Sequence, residues 1–197
     1  MYGALGDSTG VGVGARDGRG YVARLYERLR AQRTEARLLN ACRSGATSAD
    51  AVRDQLPRTT AAGPTVVTVF IGINDLIRGV SPTLYGDNLA QIAQRLTGHG
   101  ACLFCGLPDL SLAPAAMAYL RALGIEKSSF EARTRAYNER VLASARAHGH
   151  AFLDLFGLPL EDGAHFFSAD GFHPSAQGYE ELASRIWPAL LALLPAS

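Results

Sequence analysis

Cysteine is scarce in this chain, and it comes as an odd number: Cys42, Cys102 and Cys105. An odd set argues against a disulfide framework. Cys102 and Cys105 have C-x-x-C spacing, but they lie in the apolar run Ala101 to Gly106. Along a strand their side chains point to opposite faces, so packing in the core is the expected role. An excess of one charge is missing as well. Nineteen Lys and Arg against eighteen Asp and Glu leave a net charge of +1. That balance offers no counterion release on nucleic acid and no polybasic anchor for a membrane, so neither partner is expected. No run of about 18 apolar residues is present, which excludes a transmembrane helix of the usual kind. Pro188 interrupts the apolar passage Ile186 to Leu194. No basic segment leading into an apolar run opens the chain, so no signal peptide is visible and the expected compartment is the cytoplasm; removal of a leader would make the protein secreted instead. Linkers, repeats and low-complexity segments are also lacking, and residues 1–197 read as one domain.

What is present is an alternation. With 48% hydrophobic and 19% charged residues, the composition is that of a globular protein. Short apolar runs occur at Tyr2–Gly6, Ala36–Asn40, Val66–Ile71, Ala101–Gly106 and Ala151–Leu155. Their near-continuous hydrophobicity predicts strands covered on both faces. Helical spacing separates them. It predicts helices from Tyr21 to about Leu29, from a Ser48 cap to about Leu56, and over Leu84–Leu96. Two more are expected from a Ser129 cap to about Ala147 and over Ser175–Leu194, with Pro188 kinking or splitting the last. Strand and helix in strict alternation predict an α/β fold: a five-stranded parallel sheet between two helical layers.

In such sheets ligands bind beyond the C-terminal ends of the strands. The residues there are Gly6-Asp7-Ser8-Thr9 after the first strand, Asn40 to Thr47 after the second, and Gly72-Ile73-Asn74-Asp75 after the third. Asp170-Gly171-Phe172-His173-Pro174 follows well past the fifth. A serine hydroxyl is a weak nucleophile until a base takes its proton. Ser8 sits in a tight turn, His173 is the natural base, and Asp170, three residues earlier, can hold the imidazole N–H. Attack on an acyl carbonyl creates an oxyanion. Its expected donors are the backbone N–H of Ser8, the backbone N–H of Gly45 and the side-chain amide of Asn74. Asp7 and Asp75 read as braces for their turns.

These blocks resemble those of the SGNH hydrolases, the GDSL family of lipases and esterases. Gly6-Asp7-Ser8, Gly45 in its Asn40-x-x-x-Ser44-Gly45 setting, Gly72-x-Asn74-Asp75 and Asp170-x-x-His173-Pro174 match the family's blocks in order over nearly the whole chain. The resemblance implies a flavodoxin-like three-layer sheet and a serine hydrolase with no cofactor or metal. It carries Ser8, Asp170 and His173 as the triad, with Ser8, Gly45 and Asn74 as the oxyanion hole. One departure is the recurrence of glycine at 10, 12 and 14 after Thr9, which implies a more open or a more mobile loop behind the nucleophile.

The expected activity is hydrolysis of short- to medium-chain acyl or acetyl esters of small molecules. Deacetylation of carbohydrates and lysophospholipid or thioester hydrolysis are the alternatives within the family. A flavin- or nucleotide-binding module is the rival from another class, because Gly10-x-Gly12-x-Gly14 follows the first strand. The dinucleotide pattern fails, since Asp17 stands where its third glycine belongs and Asn40 where the ribose acid belongs; Gly-Lys-Ser/Thr is absent. A catalytically dead interaction domain is the other rival. The stretch Pro108 to Phe130, rich in Leu and Ala, reads either as a cover for the acyl site or as an ordinary helix on the sheet. Gly163 to Phe167, with His165, reads as a possible pocket lining.

Overall fold

The structure, a computed structural model, describes residues 1–160 and 165–195. Its elements in order are β1 (Tyr2–Gly6), α1 (Ser8–Val11), α2 (Tyr21–Gln32), β2 (Leu38–Asn40), α3 (Ser48–Asp50), α4 (Leu56–Ala61) and β3 (Val66–Phe70). Then come α5 (Ile73–Ile77), α6 (Pro82–Leu96), β4 (Ala101–Cys105), α7 (Pro114–Ala122), α8 (Lys127–Ala147), β5 (Ala151–Leu153) and α9 (Ala176–Leu191). A π-helical turn, Ala51–Gln55, joins α3 to α4, and a 3-10 turn, Leu110–Leu112, precedes α7.

All five strands are parallel, in the order β2-β1-β3-β4-β5. This is the flavodoxin-like doubly wound order, whose topological switch point lies between β1 and β3. The chain leaves β1 toward one edge and leaves β3 toward the other, so a crevice opens between their C-terminal ends. α2 packs with α9 on one face, and α6 packs with α8 on the other. Both faces of the central strands are therefore dry: Val66, Val67, Val69 and Phe70 are all buried. Each such side chain contributes about 1.5–3 kcal/mol by leaving water. Cys102 and Cys105 are buried in this layer as free thiols, as their spacing on a strand predicts. Burial pushes both thiols up to about 12. No helix among the described residues is long and apolar enough to cross a membrane.

Several expected boundaries move, each for a local reason. β2 begins at Leu38 rather than Ala36, as befits an edge strand whose residues are only partly buried. Thr47, not Ser48, caps α3: its hydroxyl accepts from the Asp50 N–H while Asp50 accepts from the Thr47 N–H, a capping box. Ser48 is thereby free for another partner. α8 starts at Lys127, before Ser129, without a side-chain cap. Pro188 stays inside α9, which runs unbroken to Leu191. The glycine run is not open. A β-carbon on Gly10 would lie 2.3 Å from the Cys42 sulfur, and one on Gly12 2.4 Å from the Gly20 nitrogen. Those glycines let α1 and the turn after it pack against the turn that follows β2 and the start of α2.

Candidate active site

Asp7, Ser8 and Thr9 turn the chain sharply from β1 into α1. The Asp7 carboxylate accepts from the Thr9 N–H at 3.0 Å and the Thr9 hydroxyl at 2.9 Å, which caps the short helix and sets Ser8 at its first position. Below the turn, Gln55 grips both polar groups of Gly6, accepting from its N–H and donating to its carbonyl oxygen, each at 2.9 Å. The π-helical turn brings Gln55 to that point.

His173 and Asp170 reach Ser8 from the turn before α9. The His173 imidazole lies 3.1 Å from the Ser8 hydroxyl through Nε2 and 2.6 Å from the Asp170 carboxylate through Nδ1. A carboxylate only accepts, so Nδ1 carries the proton and the Nε2 lone pair faces the Ser8 hydroxyl. Asp170 is itself held by the N–H groups of Phe172 and His173 and by the Ser168 hydroxyl. Partial burial would raise its pKa. The bonds from His173, the two backbone N–H groups and Ser168 outweigh that and hold its carboxyl well below the usual range. Phe172 packs edge-on against the imidazole. Gly14 completes the joint: its φ is +92°, and a β-carbon there would sit 2.7 Å from the His173 β-carbon. The Tyr179 hydroxyl donates to the Val13 carbonyl oxygen at 2.7 Å, tying α9 to the same loop.

The turns after β2 and β3 close the other side. The Arg43 N–H donates to the Gly6 carbonyl oxygen at 3.2 Å, which joins the ends of β1 and β2. Asn74 donates one side-chain N–H to the Ala46 carbonyl oxygen at 3.0 Å, leaving its second amide hydrogen for another acceptor. Among the described residues, the backbone N–H groups of Ser8 and Gly45 meet no acceptor. Asp75 is buried and accepts from both the N–H and the hydroxyl of Ser48, at 2.8 and 2.6 Å. Ser8, Gly45, Asn74, Asp170 and His173 thus all follow strands, Ser8 and Asn74 in the short helices α1 and α5 just beyond β1 and β3. Asp7 braces its own turn, whereas Asp75 braces the neighbouring loop that ends at Ser48.

Asp7 carries a feature the sequence does not announce. One of its oxygens is buried without a hydrogen-bond partner among the described residues. Burial raises its pKa to about 6, against the lowering pull of the Thr9 bonds and of His173; nearby Asp75 adds to the rise. A carboxyl whose folded pKa is raised favours the native state most at low pH, and that contribution is lost as pH climbs through the folded value. Between about pH 4 and pH 7 this group is expected to remove about 3 kcal/mol of stability. Urea unfolding of the wild type and Asp7→Asn across that window checks it: the variant should lack this component of the slope.

Two cavities meet here. A small one of about 30 Å³ is lined by Ser8 and His173 together with Phe70, Ile73, Phe166 and Phe167. A larger one of about 400 Å³ runs beneath α7, between Leu76 and Ile77 of α5 and Phe130 of α8. They share Leu110 and Phe172. Of α7 only Leu120 is buried, and the helix rests mainly on the 3-10 turn. α7 is therefore a pocket wall rather than an ordinary helix on the sheet; α8 covers β4 and β5. Of the stretch 163–167, residues 163 and 164 lie outside the described residues. Phe166 and Phe167 line the Ser8 cavity, whereas His165 lines a separate groove beside Gln177. Sequence reasoning missed α5, Ser48, Gln55 and Gly14. Only the glycine run at 10, 12 and 14 carried a readable signal, and it was a signal of close approach.

A doubly wound sheet with a Ser–His–Asp relay at its switch point defines a hydrolase with a serine nucleophile. Residues 4–181 match the GDSL-like Lipase/Acylhydrolase family, and the chain belongs to that family of ester-hydrolysing serine hydrolases. It is 31% identical to Esterase TesA of Pseudomonas aeruginosa over 191 residues, 96% of this chain and 87% of that one. It is 30% identical to a GDSL-like esterase of Mycobacterium tuberculosis over 94% of this chain and 60% of that protein. Among solved structures, that of TesA superimposes with a TM-score of 0.76 at 28% identity, covering 98% of this chain and 99% of the other. AlinE4, an SGNH-hydrolase family esterase, gives 0.66 at 28% identity, covering 99% and 96%.

Proposed function

We propose that this chain, acting as one catalytic domain, hydrolyses carboxylic esters of medium-chain acyl groups through an acyl-enzyme on Ser8. The observation that carries the reading is the relay from Asp170 through His173 to the Ser8 hydroxyl, with bonds of 2.6 and 3.1 Å. His173 takes the Ser8 proton through Nε2 as the oxygen attacks the ester carbonyl. Asp170 stabilises the imidazolium that forms. The tetrahedral oxyanion is received by the N–H groups of Ser8 and Gly45 and the second amide hydrogen of Asn74. His173 then protonates the departing alkoxide. A water molecule, activated by the same imidazole, releases the acid.

The apolar space beneath α7 opens beside the Ser8 cavity and takes the acyl chain. Its walls include Leu76, Ile77, Leu110, Leu120 and Phe130, with Ser129 and Arg133 as the polar residues beside Tyr119. Such walls offer methylene groups a dry surface and offer a sugar few partners, which favours acyl esters over acetylated carbohydrates. Each methylene buried there contributes about 0.8 kcal/mol, or roughly fourfold in kcat/KM. A p-nitrophenyl ester series from acetate to palmitate is therefore expected to rise stepwise from acetate through the medium-chain esters and then level off. Fastest turnover on acetate would return the assignment to acetyl esters. No turnover on any member would direct the search to acetylated sugars or thioesters.

A further inference from the structure

α5 is only five residues long, yet three residues from it and the position just after it bond to one loop. Asn74 donates to the Ala46 carbonyl oxygen at 3.0 Å. Asp75 accepts twice from Ser48, and the Ser48 hydroxyl in turn accepts from the Asn88 side chain at 2.9 Å. Arg78, immediately beyond the helix, donates to the Gly45 carbonyl oxygen at 3.0 Å. The loop being held, Gly45 to Ser48, contains a residue in the left-handed region: Gly45 has φ +74°. A glycine there has wide freedom of its own, so the direction of its N–H depends on what grips its neighbours. Asp75, Ser48 and Asn88 are buried, and Ser48 has no exposed surface at all. Arg78 is exposed at the rim.

We propose that α5 is a clamp on the oxyanion loop, with Asp75 and Arg78 as positioning residues whose bonds to Ser48 and Gly45 fix the direction of the Gly45 N–H. This rests on the reading of Gly45 and Asn74 as oxyanion donors. The clamp fixes the distance between two donors that arise from different strands, β2 and β3. Neither positioning residue lines the Ser8 cavity or the recess beneath α7. Arg78 restrains the carbonyl end of Gly45, and Asp75 restrains the chain three residues on. A donor that swings by about an ångström loses its grip on the tetrahedral oxygen while ground-state binding in the apolar pocket is untouched.

The test uses Arg78→Gln and Ser48→Ala, with Asp75→Asn as a third variant if it folds. Gln at 78 is too short to reach Gly45, and Ala at 48 deletes one of the two bonds to Asp75. Each is read in kcat, in KM, and in the inhibition constant of an alkyl trifluoromethyl ketone, whose adduct with Ser8 carries the oxyanion. The expected result is a kcat lowered about tenfold with KM unchanged, and a ketone constant raised by a similar factor. Arg78→Lys, which retains a donor, should recover part of both. Unchanged kcat and ketone affinity in Arg78→Gln and Ser48→Ala would overturn the clamp. So would losses that follow thermal stability alone. Asn74→Ala, run alongside, separates the two claims. If it too leaves kcat and ketone affinity unchanged, the oxyanion reading itself has failed; if it weakens both while the clamp variants do not, only the clamp has failed.

Discussion

Replacing Ser8 with alanine is expected to lower ester turnover by about 10⁴-fold to 10⁶-fold and to abolish labelling by a fluorophosphonate. The size of the loss follows from what the hydroxyl does. It is the bond-forming atom, and an alanine methyl offers neither a nucleophile nor a proton for His173. What survives is binding and the oxyanion donors, which alone still accelerate attack by water. The substitution is also mild. Ser8 is buried, its side chain bonds to His173, and a methyl fits the space. The variant should therefore unfold at nearly the wild-type temperature, and intact-protein mass spectrometry after fluorophosphonate treatment should show one adduct on the wild type and none on the variant. A variant that kept turnover within about tenfold would remove Ser8 from the mechanism.

The next largest effect is expected at Asn74. Truncation to alanine removes one proposed donor to the oxyanion, and the typical consequence of losing such a donor is a drop of about 10²–10³ in kcat. KM should change little, because the ground-state carbonyl gains far less from that donor than the charged intermediate does. The same substitution also removes the bond to the Ala46 carbonyl oxygen. Some of the loss will therefore reflect displacement of the loop as well as the missing hydrogen. Asn74→Asp keeps the shape but replaces the donor with a negative charge, and should be at least as damaging. Steady-state kinetics on a single medium-chain ester, with both variants, checks the order. A loss under about threefold for Asn74→Ala would take the residue out of the oxyanion hole.

The sheet, and the residues that form the Asp170–His173–Ser8 hydrogen-bond chain, were readable from the sequence because each rests on a local signal. β1, β3 and β4 are near-continuous apolar runs, and a run of that kind suits a strand buried on both faces. Ser8, Asn74 and His173 stand in polar turns, and the position of those turns after strands gives them away. The parts that were not readable are tertiary. α5 is too short to show a period. Ser48 looks like a helix cap in sequence, and only the capping box of Thr47 and Asp50 frees it for Asp75. Gln55 is one polar residue on a helix until a π-helical turn carries it to Gly6. Gly10, Gly12 and Gly14 suggested slack, whereas the fold uses each as a place where another segment comes too near for a β-carbon. In each case the sequence held the residue, but its partner lay many positions away along the chain.

The placement of α7 has a consequence for how such a protein diversifies. The helix leans on the 3-10 turn at Leu110–Leu112 and leaves the sheet to α8. The wall proposed to meet the acyl chain is thus a graft on the scaffold rather than a beam within it. Ala115, Ala116, Tyr119 and Ile125 line the pocket and are not part of the fully buried core. Changes there alter the shape of the recess while the strands that hold Ser8, Gly45 and Asn74 stay where they are. On the proposed reading, preference for one ester over another can drift at Tyr119 and Ile125, whereas Ala115 stays tied to the Asp170–His173 turn by the bond from its N–H to the Gly171 carbonyl oxygen at 3.0 Å.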